Sequence, residues 1–255
     1  MLNNFYFKEI KVTCCNLDSS SEETISQLKS GKPGYICVTD AGNIVTANRK
    51  SNDLKKAINN SFISLPDGKP ISIFAKCKGI KNTDRVAGPD FMNELFSKTS
   101  NTKVKHFFLG DTEEVQHKLI DKISEKYKLQ IAGSYSPGFG KWDKDTDKKI
   151  VKRISNSGAD LIWIALGGGK QEIWMMNNYK NLNKGIMIGV GAAFRFYTAQ
   201  IKRAPLIFQR LGLEWLFRLL QQPGKMFGRY STTLPFFCIY FLQEFFKTNT
   251  KTKTT

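Results

Sequence analysis

The sequence predicts an α/β fold: a parallel sheet flanked by helices, followed by a helical C-terminal appendage. Two observations predict the core. Short apolar runs alternate with amphipathic stretches of about 10–15 residues, the pattern of βαβ units. Turn residues (Gly, Pro, Asp) repeatedly close the apolar runs, as at Pro66-Asp67-Gly68 and Gly167-Gly168-Gly169. A third observation predicts the appendage. From Lys202 onward nine Lys/Arg stand against Glu214 and Glu244 alone, in a stretch rich in Leu, Phe and Trp. We therefore expect an α/β core over residues 1–200 and an appendage over residues 201–255.

The elements follow in order. Phe5 to Cys15 has the composition of a strand or strand pair. Ser20 or Ser21 can cap a helix from Glu22 to Leu28. Tyr35 to Thr39 is a short buried strand that Asp40 leaves, and Ile44 to Ile58 reads as one helix. Ser61 to Leu65 is a strand ending in Pro66-Asp67-Gly68, and Ile71 to Ala75 has strand composition too. Asp84 to Asp90 opens a helix from Phe91 to Ser97. Lys105 to Leu109 is a strand, and Gly110-Asp111-Thr112 leads into a helix from Glu113 to Tyr127. Leu129 to Tyr135 is a strand, Ser136 to Gly140 a turn, and Lys144 to Ser157 a helix. Ala159 to Ala165 is a buried strand that runs through the glycine turn into a helix from Lys170 to Asn178. Gly185 to Val190 is the last strand. From Ala204 to Gln221 only Pro205, which suits a first helical turn, and Gly212 interrupt a helical pattern. Its apolar face carries Leu211, Trp215, Leu216, Leu219 and Leu220, and a second face carries Arg210, Glu214 and Arg218. Pro223 and Gly224 are expected to stop it, with Lys225, Arg229 and Tyr230 beyond. Leu234 to Phe246 is too short to span a bilayer and carries Gln243 and Glu244; it can lie on a membrane or pack as a core helix. Residues 247–255, Lys/Thr repeats, are expected to be disordered.

Charge and composition narrow the function. The 255 residues carry a formal net charge of +17, which points to an acidic partner: nucleic acid, anionic lipid or a phosphorylated substrate. In the appendage the cations interleave with a bulky apolar face rather than with exposed stacking aromatics, which argues against nucleic acid. The start MLNNFYFKEI lacks a basic region followed by an apolar run, so no signal peptide is expected. The five Cys form no CxxC pair, which disfavours zinc and a disulfide framework and favours a reducing cytoplasm. Cys37 and Cys77 sit in apolar runs and are expected to be buried. His106 and His117 support no nucleophilic triad.

Ligands of parallel sheets gather at the carboxyl ends of the strands. Here those are Thr39 and Asp40, Asp67, Gly110 and Asp111, the turn from Gly167 to Gln171, and Gly189 to Gly191. Asp67 is either an ordinary turn residue or a carboxylate held at the strand mouth as a general base. The Gly167–Gln171 turn can face a phosphate with backbone N–H groups at a helix N-terminus, or can simply need small residues. It matches neither GxxxxGK[ST] nor GxGxxG, which removes a Walker A loop and a dinucleotide fingerprint. Asp143, Asp145 and Asp147 imitate a metal loop. Lys148 and Ile154 stand where an EF-hand needs Gly and Glu, so they read better as the acidic start of a helix, and no metal is expected.

Taken in order, several pieces resemble one family. They are Val38-Thr39, Leu65-Pro66-Asp67-Gly68, Asp84-Arg85-Val86-Ala87-Gly88-Pro89-Asp90 and Phe107-Phe108-Leu109-Gly110. Gly167 with Lys170-Gln171-Glu172 and the run Gly189 to Phe194 follow. Lys202-Arg203-Ala204-Pro205, Leu211 to Trp215, Arg218-Leu219, Gln222-Pro223 and Arg229-Tyr230 complete the set. The chain is similar to the WecG/TagA/CpsF glycosyltransferases, glycosyltransferase family 26, from about Thr39 to Tyr230. The resemblance implies a Rossmann-like core and an inverting, metal-independent, cofactor-free transfer of a sugar, N-acetylmannosamine or another hexose. The donor would be a UDP-sugar and the acceptor a polyprenyl-diphosphate-linked sugar, in cell-surface polysaccharide synthesis. It implies Asp67 as base, with Thr39 and Gln171 beside it. Substrate would be bound by Arg85, Gly167, Gly168, Gly169, Lys170, Gly191, Arg195, Arg203, Arg218, Lys225 and Arg229. It places the protein in the cytoplasm, peripheral on the inner face of the bacterial cell membrane, with an anionic membrane surface and further copies of the chain as partners and no nucleic acid. The chain departs from the family pattern at Ala41 (usually Asn), Gly169 (usually Pro) and Arg195 (usually Asp), and has Gly224 and Gly228 where cations are common. Arg195 implies a pocket wall of reversed charge. The competing reading is a non-catalytic module that binds anionic lipid through the basic segment.

Overall fold

The computed structural model describes residues 2–138, 140 and 142–247, with Arg210 and Lys225 described by their backbones alone. Residues 248–255, most of the stretch expected to be disordered, lie outside the described residues. The N-terminus forms a hairpin of β1 (Asn4–Phe7) and β2 (Ile10–Thr13), an antiparallel pair separate from the main sheet. The main sheet has six strands: β3 (Gly34–Thr39), β4 (Ile63–Pro66), β5 (Lys105–Gly110), β6 (Gln130–Tyr135), β7 (Leu161–Ala165) and β8 (Ile186–Gly189). Their order is β4-β3-β8-β7-β5-β6 and every pairing is parallel. The expected parallel α/β architecture is therefore present. β7 is buried at every position, as befits a parallel strand covered on both faces. Apolar cores lie on the two sides of the sheet. Phe107, Ile162 and Met187 belong to one, and Phe108, Leu161 and Trp163 to the other.

The helices depart from the sequence reading in instructive places. α1 (Leu17–Lys29) starts earlier than expected. Asn16 caps it through the Ser19 N–H, while Ser20 and Ser21 are buried inside it and donate to backbone carbonyls. The helix expected over 44–58 is two: α2 (Ala41–Arg49), capped by Asp40, and α3 (Asn52–Asn59), capped by Ser51. The Ser51 side chain accepts the Leu54 N–H and starts a new helix. The segment read as a strand at Ile71 to Ala75 is helix α4 (Lys69–Cys77). Its start carries Pro70, and buried Ile71, Phe74 and Ala75 fall at i, i+3 and i+4 on one face. Cys77, expected to be buried, is exposed at its end; Cys37 is buried. His106 is buried between Thr99 and the Trp163 indole N–H. α5 (Gly88–Thr99), α6 (Glu113–Lys126), α7 (Lys144–Ser157) and α8 (Lys170–Asn178) lie close to expectation.

After β8 the chain turns through α9 (Ala193–Tyr197) into three further helices. The single helix expected over 204–221 is split into α10 (Leu206–Leu211) and α11 (Glu214–Gln221). Gly212 sits between them in the left-handed region at φ 74°, where glycine carries no Cβ penalty. Pro223 does stop α11, but it also occupies the first turn of α12 (Pro223–Phe246), 24 residues long. α12 folds back on the core. Phe237 stacks on Phe7 of the hairpin at 5.3 Å, Phe241 meets Phe74 of α4 edge-on at 5.6 Å, and the Arg49 guanidinium lies 3.4 Å from the Phe236 ring. Among the described residues no helix is long and apolar enough to cross a membrane.

Candidate active site

The parallel register brings the carboxyl ends of the strands to one edge of the sheet: Thr39 pairs with Pro66, Ile164 with Gly189, and Gly110 with Ala165. A cavity of about 620 Å³ opens above β3 and β4 and is closed on its other side by α11 and α12. Its charged lining comes from both halves of the chain: Asp40, Asp67, Lys69 and Arg85 from the core, and Arg203, Glu214, Arg218 and Arg229 from beyond α9.

Asp67 directly follows β4, and its N–H donates to the Thr39 carbonyl at 3.0 Å. Burial pushes its carboxyl up to about 7; Arg85 pulls it down, while Asp40, Glu214 and Asp90 push it further up. Arg85 Nε lies 3.9 Å from Asp67 Oδ1, too far for a hydrogen bond, and this buried N–H has no acceptor. The other guanidinium nitrogens of Arg85 face Asp90 at 3.8 Å and Glu214 at 2.8 Å. Arg203 also pairs with Asp90, at 2.5 Å. Arg229 of α12 pairs with Asp40 at 2.6 Å, and the same Asp40 side chain accepts the Asn43 N–H as the cap of α2. Arg218 stands over the Phe196 ring at 5.5 Å and has no carboxylate within ion-pair distance among the described residues. Tyr230, packed edge-on against Trp215, completes this wall.

The remaining expected residues fall into two further groups. Thr39 and Gln171 lie beneath the surface. The Thr39 hydroxyl is buried against Ser64 Oγ at 2.8 Å. The Gln171 amide donates to Glu172 Oε1 at 2.9 Å and accepts the Gly191 N–H at 3.1 Å. A Cβ on Gly189 would stand 3.0 Å from the Gln171 Nε2, so glycine there makes room for the amide. Glu172 is fully buried and also accepts the Gly169 N–H at 2.7 Å, which holds the glycine turn. Burial pushes its carboxyl up to about 7, against the pull of those N–H donors. Gly167, Gly168 and Lys170 are exposed at the start of α8. Arg195 lies apart from the cavity lining, clamped on Asp111 through Nε and Nη2, each at 2.9 Å. Its positive charge is neutralised there. The side chain of Lys225 lies outside the described residues, as does that of Arg210.

The sequence reading left Glu214, Asp90, Tyr230 and Glu172 without a role. The Glu214 signal was its place between Arg210 and Arg218; its partner Arg85 is 129 residues away, a separation that local spacing cannot reveal. Among the described residues no three His, Cys, Asp or Glu side chains cluster as metal ligands. The cavity thus combines a carboxyl that titrates near neutrality with arginines suited to a phosphate. The model of the glycosyl transferase WecG/TagA/CpsF family matches residues 5–251 of the chain.

Proposed function

We propose a sugar transfer from one established premise: this chain belongs to the WecG/TagA/CpsF family of glycosyltransferases, which serve cell-surface polysaccharide synthesis. The donor is a UDP-sugar and the acceptor a sugar on a polyprenyl diphosphate. Asp67 takes the proton of the acceptor hydroxyl. The freed oxygen attacks the anomeric carbon on the face opposite UDP, the bond from that carbon to the β-phosphate oxygen breaks, and UDP leaves with both bonding electrons. The configuration inverts in this single displacement. The leaving diphosphate gains charge in the transition state, and fixed arginines stabilise it there without reorganising. Arg85, with its unpartnered Nε–H, and Arg218, with no acidic partner among the described residues, are the nearest such donors. Arg203 and Arg229 hold the walls together through Asp90 and Asp40. Gln171, fixed by Glu172 and Gly191, positions the donor sugar, and the glycine turn faces its phosphates.

One observation carries this reading: a half-buried carboxyl raised to about 7 at a strand end, inside a cavity whose far wall is basic. The appendage also brings Leu206, Ile207, Leu211, Leu220 and Phe227 to the surface, each 63–71 % exposed. Such a patch beside basic residues suits docking on an anionic membrane, where the lipid acceptor resides. The test is UDP release over a panel of UDP-sugars with a short-chain lipid-diphosphate sugar acceptor and EDTA present. Release with one donor, lost in Asp67→Asn, is expected. Liposome binding without release from any donor would instead favour the binding-module reading.

A further inference from the structure

The cavity is not charged throughout. Along the face of α12 that lines it, residues at four-residue steps change character: Arg229, Thr233, Phe237, Phe241. At 1.5 Å per residue this gradient covers about 18 Å. Leu234, Cys238 and Leu242 line the same end, Pro70 of α4 also borders the cavity, and none of the lining residues from 233 to 242 bears a charge. The floor of this groove is firm, because Phe237 and Phe241 are held by Phe7 and Phe74. A UDP-sugar is polar throughout and leaves such a groove empty. An occupant that fills the whole cavity must be an amphiphile, with an anionic head at Arg218 and Arg229 and an apolar chain running toward Leu242. The exposed patch of Leu206, Ile207, Leu211, Leu220 and Phe227 is a different surface: its members jut from the protein and are absent from the cavity lining.

We propose that the α12 end of the cavity is a binding groove for the first isoprenoid units of the lipid-linked acceptor, so that the protein holds part of the chain itself as well as its head. This rests on the acceptor class given above. In the bound state the diphosphate meets Arg218 and Arg229, the sugar reaches Asp67, and the chain follows the stripe from Thr233 to Leu242.

The experiment is binding of farnesyl diphosphate, kept below its aggregation concentration, against inorganic diphosphate, both without membranes and followed by calorimetry. Wild-type protein should bind farnesyl diphosphate on the order of 10–100-fold more tightly, from burial of only a few methylene equivalents. Leu234→Asp and Leu242→Asp, at part-exposed or exposed positions, should abolish most of that advantage while leaving diphosphate affinity and the melting temperature near wild type. Equal affinity for the two ligands, or an advantage that survives both variants, would overturn the groove while leaving the charged site intact. Failure of either ligand to bind would overturn the diphosphate site itself, and the groove with it.

Discussion

Asp67 concentrates the chemistry of this chain in one side chain, and its environment fixes two consequences of opposite sign. Its carboxyl is raised from 3.8 to about 7, so at lower pH it carries a proton and cannot act as a base. Activity in kcat/KM should therefore rise with pH through about 7 and level off above it. Arg85 pulls the value down. Arg85→Met should move that limb to higher pH, as a pH–rate profile will reveal, and lower kcat as well. Asp67→Asn should retain the fold and lose about 10²–10⁴-fold in kcat. The same raised carboxyl costs stability. Between its ordinary value and about 7, the folded state binds more protons than the unfolded one, so stability falls as pH rises through that window. Asp67→Asn removes the penalty, and its melting temperature should exceed that of wild type at pH 8, with the gap closing toward pH 4. A drop in melting temperature at pH 8 would count against burial as the cause of the shift.

At the scale of elements, Asp40 joins two helices that are 189 residues apart in its contact with Arg229. One carboxylate oxygen caps α2 and the other pairs with α12. Asp40→Asn keeps a good cap and removes the charge, whereas Asp40→Ala removes both. We expect Asp40→Ala to cost about 1 kcal/mol more than Asp40→Asn in chemical denaturation, with both variants losing activity as α12 loosens. The elements also tell what the sequence could reveal. Strands β3, β5, β7 and β8 were legible because strands buried on both faces are short continuous apolar runs. α4 was not, because Ile71 to Ala75 is five residues long, too short for its period to separate helix from strand; Pro70 and the buried i, i+3, i+4 set decide it. The break between α2 and α3 turned on one cap, Ser51, in a stretch otherwise helical throughout. In the site, Asp67 and the glycine turn were legible as strand-end residues. The ion pairs Arg85–Glu214, Arg203–Asp90 and Arg229–Asp40 were not, since each joins residues over 110 positions apart and no local pattern encodes them.

For the molecule as a whole, the exposed apolar patch and the net charge of +17 act on the same partner. Flotation with anionic liposomes should retain the full chain. Leu206→Ser with Ile207→Ser should release a substantial fraction, and raised salt should weaken the rest, because the electrostatic part is screened. Indifference to both changes would place membrane contact elsewhere.

The cavity has its floor near residue 67 and its far wall near residue 229. Protein synthesis delivers these parts in that order, some 162 residues (229 − 67) apart. At roughly 5–20 residues per second the interval is on the order of 8–30 s. Throughout it the nascent sheet can fold, with Asp67 facing open water and no arginine from α11 or α12 opposite. A chain cut short anywhere between Gly191 and Arg229 would keep that half-built state for good, folded yet unable to enclose a substrate. The last stretch to leave the ribosome is thus the one that completes the enclosure.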